Sequence, residues 1–144
     1  MRRPRLILLD TSGLFAALVG NQRAHEAARA AVEATGEALL LSPFVLAELD
    51  YFFGRAAGVD AELSFLAEIA AGAYDLVPFS ADDVAEAAEV VGRYRDLGIG
   101  LADASIVVLA GRFGTDRVLT LDERHFRALH TPQGTPFTLL PADA

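Results

Sequence analysis

The sequence predicts an α/β domain built on a mostly parallel sheet that helices cover on both faces. Short apolar runs alternate with longer stretches of helical spacing, which is the pattern of strand–helix crossovers. The apolar runs are continuous rather than alternating, as strands buried on both faces require. The length of 144 residues suits one domain spanning residues 1–144 around one core.

Each element has a local reason. Arg5 to Leu9 (RLILL) reads as a buried strand that stops at Asp10, and a short helix follows over Gly13–Leu18. Asn21 to Thr35 is alanine-rich with Glu and Arg at helical spacing, and Gly36 supplies a C-terminal stop. Ala38 to Leu41 is a second apolar run. Ser42-Pro43 joins an N-cap to a proline at the first helical position, opening a helix to about Ala56. Gly58-Val59-Asp60 starts a further helix to about Ala71, and Tyr74 to Phe79 reads as the third strand. Ser80 with Asp83 forms a capping-box pattern for a helix to about Leu97. Leu101 to Phe113 is the next helix, ended by Gly114, and Arg117 to Leu121 (RVLTL) is the fourth strand. Asp122 to Leu129 is a short helix, and Pro136 to Leu140 adds an edge strand. No repeat, low-complexity tract or linker interrupts the series.

Composition narrows the chemistry. Hydrophobic residues make up 53% and charged residues 22%, the balance of a folded chain. Cysteine is absent, which excludes disulfides, thiolate nucleophiles and cysteine-built metal sites. All 12 basic residues are arginine, so Schiff-base chemistry and Walker-type phosphate loops, which need lysine, are excluded too. The formal charge of -8 has the wrong sign for a protein that coats nucleic acid through bulk charge. Such a chain meets a polyanion only if the field is reversed locally, as a bound divalent cation would do. Arg2, Arg3 and Arg5 ahead of Leu6–Leu9 look like the start of a signal peptide, but Asp10 ends the apolar run well short of an h-region of about 7–15 residues. No uncharged apolar window of about 18 residues exists, so no membrane helix and a cytoplasmic location are expected.

Acids occupy unusual places. In folds of this kind ligands bind beyond the carboxyl ends of the strands, where the strand order switches. Asp10 directly follows the first strand, and Asp122 the fourth; taken singly, each is an ordinary helix N-cap or turn acid. Glu48 has Phe44, Val45, Tyr51 and Phe52 at its helical neighbour positions. A carboxylate among large hydrophobes is paired, protonated, metal-bound or at the boundary of the core. Asp50, with Leu46, Ala47, Phe53 and Gly54 around it, is the second choice on that helix. Asp103 is the only charge between Asp96 and Arg112, in a helix apolar enough to be buried. Its first-turn position alone would also suit the helix dipole.

Together, Asp10, Glu48, Asp103 and Asp122 are placed to converge at one edge of the sheet. Several carboxylates crowd into one cleft at neutral pH only with a cation, and oxygen donors without clustered His or Cys indicate Mg²⁺ or Mn²⁺. Metal-assisted attack of water on a phosphodiester suits that set best. Other motifs carry less. Gly98-Ile99-Gly100 follows a helix and lacks the third glycine of a dinucleotide loop. His125 and His130 are not at the spacing of a helical metal pair and read as surface or packing residues. Ser12 and Ser105 lack the His and Asp partners of a serine hydrolase.

In order and spacing, four segments resemble the PIN-domain ribonucleases, and most closely the VapC toxins of bacterial toxin–antitoxin pairs. They are Asp10-Thr11-Ser12 after a strand, Val45-Leu46-Ala47-Glu48-Leu49, Leu101-Ala102-Asp103-Ala104, and Leu119-Thr120-Leu121-Asp122 with His125-Phe126. The resemblance implies a PIN-like three-layer α/β/α sandwich around a parallel sheet of four to five strands. It implies a toxin that is an endoribonuclease dependent on Mg²⁺, with Mn²⁺ as substitute. Asp10, Glu48 and Asp103 would bind metal, and Asp122 would be a further direct or water-mediated ligand. Thr11 or Ser12 and Thr120 would orient those carboxylates or the water by hydrogen bonds, with Asp96 on the rim. A metal-activated water would attack in line and leave 5′-phosphate and 3′-hydroxyl ends; two metals, if bound, would lie about 3.5–4 Å apart. Arg23, Arg93, Arg95, Arg112 and Arg124 are the arginines proposed to meet RNA phosphates. The resemblance also implies a homodimer and a cognate VapB-like antitoxin protein in a hydrophobic groove. Leu14, Phe15, Phe52, Phe53, Phe65 and Leu66 suit such surfaces and equally an ordinary core.

Two other functions compete. Phosphotransfer domains also place an aspartate after a parallel strand, but they use a basic residue, usually lysine, and receiver domains an acidic pair that Leu9-Asp10 does not supply. A catalytically inactive PIN-like scaffold that binds RNA or protein is the alternative from a different class, and the intact acids speak against it.

Overall fold

The computed structural model describes residues 5–21, 23–33 and 38–144. Five strands form one all-parallel sheet: β1 (Leu6–Leu9), β2 (Ala38–Leu41), β3 (Asp75–Leu76), β4 (Arg117–Leu119) and β5 (Thr138–Leu140). Their order is β3-β2-β1-β4-β5. The chain therefore builds outward from β1 on one side, then returns to build on the other, and the order reverses between β1 and β4. Leu9 stands opposite Leu119. The next residues, Asp10 and Thr120, consequently leave the sheet side by side, and the Asp10 amide donates to the Leu119 carbonyl at 3.0 Å.

Helices flank the sheet: α1 (Thr11–Leu18), α2 (His25–Glu33), α3 (Pro43–Ala70), α4 (Ala81–Arg93), α5 (Leu101–Phe113) and α6 (Glu123–Phe126). Ile7, Leu8 and Leu9 of β1 are at most 1% exposed, and every residue of α5 from Ala104 to Ala110 is buried. Continuous apolar runs thus occupy the centre, as expected for a doubly covered parallel sheet. Gly13 brings α1 tight against β4, where a Cβ would collide with the Leu119 carbonyl.

Most sequence expectations hold, with instructive shifts. The helices expected on either side of Gly58 are the two arms of α3, which bends at that glycine (φ 85°, ψ 174°). Ser80 and Asp83 form the expected capping box. The third strand shrinks from Tyr74–Phe79 to Asp75–Leu76: Val77 makes one more bond to Leu41, and Pro78 then has no amide to continue the ladder. The fourth strand ends at Leu119 rather than Leu121: the Thr120 amide still bonds the Leu140 carbonyl, but hydroxyls take the two amides after it. Leu121 donates to Ser12 Oγ and Asp122 to Thr120 Oγ1, both at 2.9 Å. The helix expected to reach Leu97 ends at Arg93 and is followed by a single 3₁₀ turn, Arg95–Leu97, closed by left-handed Gly98. The helix expected over Asn21–Thr35 begins only at His25, and its stop at Gly36 lies outside the described residues. α1 starts two residues earlier than expected, and α6 and β5 are shorter than expected.

Candidate active site

Beyond the carboxyl ends of β1 and β4 lies a cavity of about 490 Å³, and Asp10, Glu48, Asp103 and Asp122 all face it. They come from four places in the chain: the exit of β1, the second turn of α3, the first turn of α5 and the start of α6. Thr11 and Ser12 lie beside the acids, and Phe15, Phe52 and Leu121 supply an apolar wall.

Asp10 is the anchor. It is 5% exposed, and its Oδ2 accepts hydrogen bonds from Thr120 Oγ1 at 2.7 Å and Ser12 Oγ at 2.9 Å. Burial pushes its carboxyl up, and the two hydroxyls partly offset that rise. Thr11 Oγ1 donates to Glu48 Oε1 at 2.6 Å, tying the first turn of α1 to α3. Asp122 caps α6, accepting from the His125 amide at 3.1 Å through Oδ1. Its second carboxylate oxygen lies 2.8 Å from His125 Nδ1, which is also 3.1 Å from Asp103 Oδ2. That nitrogen is shut off from solvent, and neither approach has hydrogen-bond alignment.

Like charges concentrate on Asp103. Burial first, then repulsion from Asp10, Asp122 and Glu48, push its carboxyl up to about 7, with His125 opposing. The ligand atoms of Asp103, Asp122 and His125 lie within 4.8 Å of one another. Crowded carboxylates, one of them held partly protonated, and a buried ring nitrogen without an aligned partner are what a divalent cation would relieve. The donor set fits such a metal.

Some expectations change. Glu48 is exposed rather than enclosed by hydrophobes, because its neighbours Tyr51 and Phe52 are themselves 56% and 44% exposed. It sits at the mouth of the cavity and reaches Thr11 instead of the core. Asp50 faces away, towards Glu62 on the other arm of α3, where a carboxyl–carboxyl hydrogen bond and burial push Glu62 up. Asp96 lies in a separate depression with Arg93 and Arg95. Arg112 is tied to the Pro78 carbonyl and Asp83, and Ser105 bonds Ser42 Oγ and the Ala102 carbonyl within the core. Arg23 is the one expected arginine that lines the cavity. His125 also lines the cavity, a place that its spacing to His130 hid. The usable signal was its position three residues after Asp122, on the same turn of α6.

The PIN domain profile matches residues 7–130. The chain belongs to the PIN-domain family. Ribonuclease VapC26 of Mycobacterium tuberculosis is 44% identical over 135 residues, covering 94% of this chain and 100% of that one. The crystal structure of VapC20 from the same organism, a sarcin–ricin loop cleaving toxin, superposes with a TM-score of 0.75 at 21% identity. That superposition covers 81% of this chain and 89% of VapC20, and it bears on the fold: the parallel five-stranded sheet flanked by helices is the PIN arrangement. The PIN resemblance drawn from four short motifs is thus supported by independent comparison over most of the chain. No helix among the described residues is long and apolar enough to cross a membrane.

Proposed function

We propose that this PIN protein is a single-domain endoribonuclease of the VapC toxin type, hydrolysing RNA phosphodiesters at the cavity that holds Asp10, Glu48, Asp103 and Asp122. The observation that carries this reading is the meeting of four carboxylates from four distant segments where the strand order reverses. Kinship to Ribonuclease VapC26 supports the same activity.

Asp10, Glu48, Asp103 and Asp122 would hold Mg²⁺, with Mn²⁺ as substitute; bound there, the cation would acidify a water and polarise a phosphate oxygen. Ser12 and Thr120 hold Asp10 in one orientation, and Thr11 holds Glu48. The His125 amide fixes Asp122. The cavity presents its acids to the scissile phosphate and its apolar wall to the neighbouring sugar or base. Attack in line forms a new P–O bond, breaks the P–O3′ bond and passes a proton to the departing oxygen, leaving 5′-phosphate and 3′-hydroxyl ends. The VapC kinship supports a VapB-like antitoxin as protein partner, a homodimer and a cytoplasmic location.

The test is cleavage of transfer, messenger and ribosomal RNA, the last including a sarcin–ricin stem–loop, by antitoxin-free protein in Mg²⁺ or Mn²⁺. Loss of cleavage with EDTA and in a folded Asp103→Asn variant is expected. Cleavage that survives both overturns the site, and binding without cleavage on every RNA favours the inactive scaffold.

A further inference from the structure

Arg23 is a cation in an acidic cavity that pairs with none of its acids. It lines the cavity with Asp10, Glu48, Asp103 and Asp122, yet forms no ion pair or hydrogen bond among the described residues. Arg29 pairs with Glu33, Arg55 with the Tyr51 hydroxyl, Arg112 with Asp83, and Arg127 with Asp143 and Glu123, while Arg93, Arg95 and Arg124, like Arg23 without such a partner among the described residues, do not line the cavity. An exposed guanidinium held near four carboxylates but beyond contact with them is free to take an anion, and its planar fork matches a phosphate.

A second depression of about 400 Å³ adjoins the first and shares Arg23 and Leu121 with it. Its remaining wall is mostly small and apolar, with Ala24, Ala27, Pro141 and Ala142. The one acid there, Glu123, lies 3.1 Å from the Arg127 guanidinium, which also pairs with Asp143, and a single carboxylate is not a donor set for a metal. This second depression therefore lacks the donor set for a cation and has the surface for a sugar or base. Arg23 stands at the joint between the two.

We propose that Arg23 binds the phosphate next to the scissile one and that the adjoining depression receives the nucleotide between them, so that the substrate strand crosses the protein from the acid cluster past Arg23. The proposal rests on the nuclease reading and deepens it. It makes Arg23 a substrate-binding residue and requires an unpaired nucleotide on that side of the cut.

The probe is a single-stranded 12-mer RNA spanning a cleavage site mapped on the protein's own products, with and without a neutral methylphosphonate at each phosphate flanking the cut. Arg23→Gln is expected to raise KM about tenfold with little change in kcat, as loss of uniform binding does. One flanking methylphosphonate should cost the unaltered protein a similar factor and cost Arg23→Gln nothing more. In the Asp103→Asn background, Arg23→Gln should lower the slope of log K against log salt by about 0.7, one single-strand phosphate. Arg23→Lys should recover much of the binding, and Arg29→Gln, which lines neither depression and loses only an exposed pair with Glu33, should leave every value unchanged. Unaltered KM in Arg23→Gln, or penalties that add to those of both methylphosphonates, overturns the proposal while the nuclease reading stands. No cleavage of any RNA by the unaltered protein overturns the nuclease reading and this proposal with it.

Discussion

The Thr120 hydroxyl donates to Asp10 Oδ2 at 2.7 Å, joining the carboxyl ends of β1 and β4 across 110 residues of sequence. The same oxygen atom of Thr120 accepts from the Asp122 amide, so one hydroxyl orients two of the acids. A buried carboxylate needs such donors to stay charged, and a parallel sheet supplies them wherever adjacent strands end together.

Thr120→Val keeps the side-chain shape and removes both bonds. Folding stability is expected to fall by about 1–3 kcal/mol, the cost of leaving a buried acceptor unsatisfied. Divalent-metal affinity should weaken by roughly 10–100-fold, whereas Thr120→Ser should behave close to the original. Urea denaturation and calorimetric Mn²⁺ titration check the two effects separately.

Metal-free protein should be more stable at pH 5 than at pH 7.5. The Asp103 carboxyl stands at about 7 in the folded protein against 3.8 ordinarily, so folding takes up a proton. Its contribution is complete below about pH 4 and is lost as pH rises through 7, and Asp10, also pushed up, acts in the same direction. With partial solvent screening the difference should be on the order of 1–2 kcal/mol. Scanning calorimetry with EDTA should show the slope; Asp103→Asn should flatten it, and saturating Mg²⁺, which binds the ionised carboxylates, should reverse it. A pH-independent melting temperature without metal would refute the crowding argument.

His125→Ala removes the nitrogen that Asp103 and Asp122 share. Mn²⁺ affinity is expected to drop about tenfold, and Mg²⁺ affinity less, because imidazole suits transition metals better than Mg²⁺. Mn²⁺ electron paramagnetic resonance titration, with Mg²⁺ as competitor, measures both. Equal losses for the two ions would reduce His125 to a charge that offsets the acids.

Gly13→Ala tests the close approach of α1 to β4. The new Cβ meets the Leu119 carbonyl, a backbone group at the centre of the sheet that cannot swing away. A destabilisation of about 1–3 kcal/mol or more is expected from such overpacking. Weakened metal binding should accompany it, because α1 carries Thr11 and Ser12. Gly92→Ala, where a Cβ would meet nothing, should be neutral or stabilising by comparison.

Asp10 and Asp122 were legible because each follows a continuous apolar run, and a strand end is a local signal. Asp103 was legible as a lone acid in an apolar helix, and the capping box at Ser80 and the bend at Gly58 were equally local. Glu48 faces the cavity from an exposed position that its neighbours in sequence did not announce. Its helical neighbours are apolar, but Tyr51 and Phe52 are exposed, and the residue that holds it, Thr11, is 37 positions away. His125 was missed because its partners are Asp103, from another helix, and the cap of its own short turn.

By itself, then, the sequence determined the elements, the parallel α/β class and the acids at the strand ends, since periodicity, caps and glycine stops act over a few residues. Tertiary structure alone decided that β4 lies beside β1, that Thr120 and Ser12 hold Asp10, and that His125 and Arg23 stand at the cavity. Those relations depend on strand order and register, which are set by packing of the whole core and not by any short stretch of chain.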